Sequence, residues 1–233
     1  MIDSRPVIVA VDKPDMASAM ALARTLDPSL CRVKVGKELF TSAGPQVLDE
    51  LHKLGFEIFL DLKFHDIPNT VAAACKAAAA HGVWMMNVHA IGGQRMMEAA
   101  RAAVGDSAPG VPLLIAVTVL TSMDQAELNA SGVPLSVDDQ VVALARQTKN
   151  SGFDGIVCSA LEADKISKQV PGLTMVTPGI RLADDSTDDQ RRVMTPEKAI
   201  ANGAGFLVIG RAVTGAEDPV SRLQEINDSI KTV

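Results

Sequence analysis

Short runs rich in Val and Ile recur along the chain at intervals of roughly 30 residues, the spacing of a βα repeat. Each is followed by a longer stretch in which Ala and Leu return at helical intervals. The pattern predicts strands over 7–12, 31–36, 57–63, 83–89, 113–119, 155–159, 173–177 and 206–209. Residues 113–119 are apolar almost without alternation, as in a strand covered on both faces. The first helix is expected to start near Pro14, another to cover 71–81, and the last roughly 219–230. Eight strand–helix repeats in 233 residues predict one α/β domain over 1–233, a (β/α)₈ barrel of the TIM type. An open, doubly wound sheet is the alternative. It wants a Gly-rich turn after the first strand, where this chain has Asp12-Lys13-Pro14-Asp15. Two connections read as long loops, 121–135 and 178–195. The second carries Ala183-Asp184-Asp185-Ser186-Thr187-Asp188-Asp189, a polar run suited to a lid or to a solvated excursion.

Composition narrows the function. Hydrophobic residues at 47% and charged residues at 21% match a globular chain rather than a disordered one. No apolar run approaches the roughly 20 residues that span a bilayer, and the first residues lack the apolar core of a secretory signal. A cytoplasmic protein with no membrane partner is expected. The net charge of −6 and the absence of Tyr argue against nucleic acid, which wants a basic face and stacking platforms. An anionic ligand must therefore be drawn by local positive groups. Cys31, Cys75 and Cys158 lie in apolar or Ala-rich stretches without metal-type spacing, and read as buried spectator thiols.

The polar residues that matter collect where strands end, which is where such barrels keep their sites. Those ends carry Asp12, Lys34, Asp61 with Lys63, His89, Thr121 with Ser122, Arg181 and Arg211. Asp61 and Lys63 are two apart and share a face, pointing into the mouth if Leu60 and Leu62 point to the helices. One Asp–Lys pair alone is usually a salt bridge, and Asp66 alone would serve as a helix cap ahead of Pro68. Asp12, Lys34, Asp61 and Lys63 together make an alternating network that is costly to desolvate unless every member is paired. Asp61, His65, Asp66 and His89 could supply metal ligands, but Lys63 competes for the carboxylates and the spacing fits no zinc pattern. A lone His89 is more often structural. Val208-Ile209-Gly210-Arg211 suits a phosphate, because Gly admits backbone N–H groups and Arg adds a forked donor. Arg181 and Gln190-Arg191-Arg192 add to that side.

The third strand and its loop, Asp61-Leu62-Lys63-Phe64-His65-Asp66-Ile67-Pro68-Asn69-Thr70, closely resemble the signature of the orotidine 5′-phosphate decarboxylase family. The likeness extends over nearly the whole chain. It includes Lys34-Val35-Gly36-Lys37-Glu38, Asn87-Val88-His89-Ala90, Thr177-Pro178-Gly179-Ile180-Arg181, Asp189-Gln190-Arg191-Arg192 and Ile209-Gly210-Arg211. The D-x-K-x-x-D core is shared with a sister group of Mg²⁺-dependent enzymes that includes 3-hexulose-6-phosphate synthase. The D-I-P-N-T extension and the T-P-G-I-R and D-Q-R-R motifs favour the orotidylate branch.

The resemblance implies decarboxylation of orotidine 5′-phosphate to UMP with no metal or organic cofactor. It implies that Lys63 delivers a proton to C6, that Asp61 sits beside the substrate carboxylate, and that Lys34 and Asp66 complete the network. Asp12 and Lys34 would meet the ribose, and Thr121 the pyrimidine. Gln190, Gly210 and Arg211 would hold the phosphate with Arg181 close by. A homodimer is implied, with Asp66 and Thr70 entering from the partner subunit.

Overall fold

The computed structural model describes residues 5–182 and 194–231. Eight parallel strands close into a barrel in chain order. They are β1 (Val7–Ala10), β2 (Arg32–Gly36), β3 (Ile58–Phe64), β4 (Met85–His89), β5 (Leu113–Val117), β6 (Gly155–Val157), β7 (Thr174–Thr177) and β8 (Phe206–Ile209). β8 pairs back onto β1, through Val7↔Leu207 to Val9↔Ile209, which excludes the open sheet. The period-2 alternation of strands divides the apolar residues into two layers. Ile8, Phe59, Met85, Ile115, Val176 and Phe206 fill the barrel interior. Val7, Val9, Val33, Val35, Ile58, Leu60, Leu114 and Ile209 face the surrounding helices in a second, larger core.

Local chemistry sets the helix starts. The first helix is Met16–Ala23, later than Pro14, because the Asp15 carboxylate caps it by accepting the Ser18 N–H at 2.8 Å. The helix expected over 71–81 is Pro68–Ala80, since Pro68 fits the first turn, where no N–H partner is needed. Asp66 is not its cap. Ile67 holds that position, and the Asp66 carboxylate accepts the Ile67 N–H at 2.6 Å. The supposed loop 121–135 contains a helix, Gln125–Ala130. Its capping box joins Asp124 to the Glu127 N–H at 3.0 Å and Glu127 to the Asp124 N–H at 3.1 Å, a D-x-x-E signal that sequence reading passed over.

The other long connection leaves β7 through Pro178 and Gly179. Its two ends lie side by side, with Arg181 N–H donating to Met194 O at 3.1 Å and Met194 N–H to Gly179 O at 3.2 Å. The run 183–189, suited to a lid or to a solvated excursion, lies outside the described residues. Among the described residues no helix is long and apolar enough to cross a membrane. All three cysteines are buried, and burial pushes the Cys31 and Cys75 thiols up to about 12, as inert thiols require.

The amino-terminal end of the barrel is closed by Arg32. Its guanidinium lies 4.1 Å from the Trp84 ring centroid and 5.3 Å from that of Phe206. Its Nε donates to Glu57 at 2.8 Å, and a second nitrogen donates to the Arg5 carbonyl. The cation is thus packed against two rings that meet edge to face, and it is paired with Glu57.

Candidate active site

At the carboxyl ends the inward rows turn polar. The row on β2 runs Arg32, Lys34, Gly36, and the row on β3 continues from Phe59 to Asp61 and Lys63. The register places Lys34 beside Phe59 and Gly36 beside Asp61. The charges alternate as expected. Lys34 Nζ lies 3.0 Å from Asp12 Oδ1 and 3.5 Å from Asp61 Oδ2, and Lys63 Nζ lies 2.5 Å from Asp61 Oδ1. Lys34 and Asp61 are buried, Lys63 is partly exposed at the rim, and Asp12 is largely in solvent. A Cβ at Gly36 would stand 3.1 Å from Lys34 Nζ and would crowd the ammonium.

Lys63 does not sit on a regular strand. Its φ is +52°, and no other described non-glycine residue has a positive φ. The pairing of β3 with β4 shifts between Leu60↔Met86 and Phe64↔Val88, so four residues on β3 span two on β4. The Lys63 N–H is accepted by the Asn87 side-chain oxygen at 2.8 Å. Asn87 is fully buried, and its amide nitrogen donates to Asp61 Oδ1 at 2.6 Å.

Burial alone would push the Asp61 carboxyl up. The Lys34 and Lys63 charges, with hydrogen bonds from Lys63 and Asn87, outweigh it and hold the carboxyl below the ordinary carboxylate range. The carboxylate therefore stays ionised beside the cavity. His89, one step further along β4, behaves oppositely. Burial, with coulombic contributions from His65, Lys37 and Lys63, lowers it to about 4, and its ring stands 5.6 Å from that of His65. It is a neutral residue at the rim. Among the described residues no three His, Cys, Asp or Glu side chains converge as a metal site, so Asp61, His65, Asp66 and His89 form none.

The network lines one side of a cavity of about 540 Å³, inside the range of small-molecule sites. Its floor is apolar, built from Ala10, Phe59, Val117, Val157 and Val208. β7 and β8 lie across the barrel from β3 and β4, and their ends bring Arg181, Gly210 and Arg211 to the far wall. Thr121 joins from the end of β5. One mouth thus gathers Asp12, Lys34, Asp61, Lys63, Thr121, Arg181, Gly210 and Arg211. Asp66 and Thr70 are exposed and stand outside the lining of this chain's cavity. Gln190, with Arg191 and Arg192, lies outside the described residues.

Sequence reading assigned Asn87 no role. The available signal was an amide in the inward register of an otherwise apolar run, Met85-Met86-Asn87-Val88.

The arrangement sets an ammonium paired with a carboxylate across an apolar floor from a wall that carries two arginines. Residues 5–226 match the Orotidine 5′-phosphate decarboxylase / HUMPS family. An orotidine 5′-phosphate decarboxylase of Teredinibacter turnerae is 58% identical over 97% of this chain and 97% of its own length. One of Nitrosospira multiformis is 56% identical over 97% and 94%. The crystal structure of orotidine 5′-phosphate decarboxylase from Lactobacillus acidophilus superposes with a TM-score of 0.86 at 39% identity, covering 97% of this chain and 99% of that one. With its closed barrel, its Asp–Lys mouth and a match over nearly its full length, the chain belongs to the Orotidine 5′-phosphate decarboxylase / HUMPS family.

Proposed function

We propose that the chain decarboxylates orotidine 5′-phosphate to UMP and CO₂ in de novo pyrimidine biosynthesis, with Lys63 as the proton donor to C6 and with no metal or organic cofactor. The observation that carries the reading is the Lys63 ammonium, 2.5 Å from Asp61 and facing a cavity whose far wall holds Arg181 and Arg211. When the bond from C6 to the carboxylate breaks, its electron pair stays on C6 in the ring plane. No adjacent carbonyl delocalises that charge. An ammonium beside it stabilises charge present only in the transition state, which lowers the barrier rather than merely tightening binding. Lys63 then passes its proton to C6 and recovers one from water after release.

Asp61 supplies a second, smaller effect. Its carboxylate faces the substrate carboxylate, a like-charge contact relieved as CO₂ departs. Two unit charges 4 Å apart interact by about 4 kcal/mol at an effective dielectric near 20. Lys34 and Lys63 offset much of that repulsion, so stabilisation by Lys63 ranks first and stress from Asp61 second.

Arg211, the Gly210 backbone, Arg181 and Gln190 hold the phosphate, Asp12 and Lys34 the ribose hydroxyls, and Thr121 the base. Phosphate binding far from the reacting carbon can still assist chemistry by drawing the connection after β7 over the site. The active form is a homodimer in which Asp66 and Thr70 enter the partner's mouth. Their exposure supports this, as do the neighbouring apolar side chains Ile67 and Ile91, which are 67% and 53% exposed. The working compartment is the cytoplasm.

The test is spectrophotometric. Purified protein with orotidine 5′-phosphate and EDTA should convert the substrate absorbance to that of UMP. Activity that vanishes with EDTA and returns with Mg²⁺ would instead assign the chain to the metal-dependent side of the family.

A further inference from the structure

We infer that Asn87 is a positioning residue for the reaction: its amide pins the β3 bulge that carries Lys63 and fixes the rotation of the Asp61 carboxylate. The inference rests on the reading of Lys63 as proton donor. Three observations support it. First, Lys63 occupies a left-handed backbone conformation that L residues adopt only at a cost. Something must hold it there. The two extra residues of β3 take the Lys63 N–H out of the regular ladder to β4, and the Asn87 oxygen accepts it at 2.8 Å.

Second, Asp61 Oδ1 receives two donors, Asn87 Nδ2 at 2.6 Å and Lys63 Nζ at 2.5 Å, which leaves Oδ2 turned to Lys34 at 3.5 Å. Asn87 thereby sets the plane of the carboxylate, and the carboxylate sets where the ammonium rests. Third, the amide is fully buried, and both its ends are used. A donor is needed on one side and an acceptor on the other, a combination that neither Asp nor an apolar residue of similar size supplies. One side chain thus governs both the backbone and the ammonium of Lys63 without lining the cavity.

Two variants test this, each measured for kcat, KM, the pH profile of kcat and thermal melting. Asn87→Asp keeps the acceptor for Lys63 N–H and removes the donor to Asp61. Asn87→Ser is too short to serve both partners. Each should lower kcat about ten- to a hundredfold, the fold-change of one hydrogen bond to a charged group, with KM within about threefold. In Asn87→Asp the acid limb of kcat should also move to higher pH, because a second carboxylate disfavours ionisation of Asp61. A merely structural residue would lower the melting temperature without this selective loss of kcat.

Either variant that folds decides the matter. Unchanged kcat, or a loss confined to KM or melting temperature, overturns the inference. Failure of both to fold overturns it too, making Asn87 a determinant of the fold. A wild-type protein that does not turn over orotidylate is a different result, and would sink the proposed function instead.

Discussion

The two ends of the barrel hold buried cations on the same strand row, yet they are built for different ends. The inward side of β2 carries Arg32 at the amino end and Lys34 one inward step later. Each is paired with an acid supplied from the chain of β3, Glu57 just before that strand at one end and Asp61 within it at the other. At the amino-terminal end the cation is a planar guanidinium, held against Trp84 and Phe206. At the mouth both cations are ammonium groups, compact and able to give up a proton, and they border a cavity. Burial and pairing therefore do not by themselves mark function. The role proposed for the mouth rests on a transferable proton beside a cavity.

The sharpest way to break the comparison is to remove one cation from each end. Lys63→Ala should fold, because the Asn87 bond is to the backbone N–H and Asp61 keeps Lys34. It should still bind UMP and lose at least about a thousandfold in kcat, from lost proton transfer and lost charge stabilisation together. Near wild-type turnover would overturn the mechanism. Arg211→Ala comes next, with KM raised about ten- to a hundredfold for a lost charged hydrogen bond, and kcat lowered as well if loop closure is coupled to chemistry. A variant with both constants unchanged would remove Arg211 from the phosphate site.

At the amino-terminal end, Arg32→Met should cost about 2 kcal/mol of stability, less than a fully buried pair because Glu57 is partly exposed and keeps Arg5. Melting should fall by about 4–8 °C. Its kcat and KM at low temperature should stay as in the wild type. A selective loss of kcat in Arg32→Met would erase the distinction between the two ends.

That distinction was partly legible in the sequence. Period-2 alternation was enough to place Asp61 inward and to separate it from Leu60, whereas Lys63 reaches the same mouth through the bulge and not by regular alternation. Closure of the barrel followed from counting eight repeats. The bulge was not legible, because an inserted pair of residues leaves the types Asp, Lys and Phe unchanged and shows only in the register with β4. Asn87 was hidden for a related reason. Its importance lies in which atoms it faces across strands, and no spacing within β4 reveals that. Asp66 and Thr70 are exposed in one chain, so their proposed role depends on a second copy. The capping box of Gln125–Ala130 was written in plain residues and was missed because the helix is short.

The smallest expected effect compares two titrating residues within the mouth. The Asp61 carboxyl lies below its ordinary value when folded, so its contribution to stability is present above the usual carboxylate pKa near 3.8 and is lost as pH falls through its lower folded value. His89 acts in a higher window. Folded, it titrates at about 4, whereas unfolded it titrates at the ordinary value of 6.5. As pH drops from 6.5 towards 4 the unfolded chain takes up a proton that the folded chain refuses, and stability declines over that interval. His89→Gln removes this penalty. Urea unfolding at pH 7 and pH 4.5 should show a smaller acid loss in His89→Gln than in the wild type. The difference should be about 1 kcal/mol, below the full linkage value because the ring is partly exposed to solvent. Carboxylates elsewhere contribute equally to both proteins and cancel in the comparison. Parallel losses in the two proteins would mean that His89 takes up its proton in the folded state as readily as a free histidine, and that the mouth tolerates a third cation beside Lys63 and Lys37.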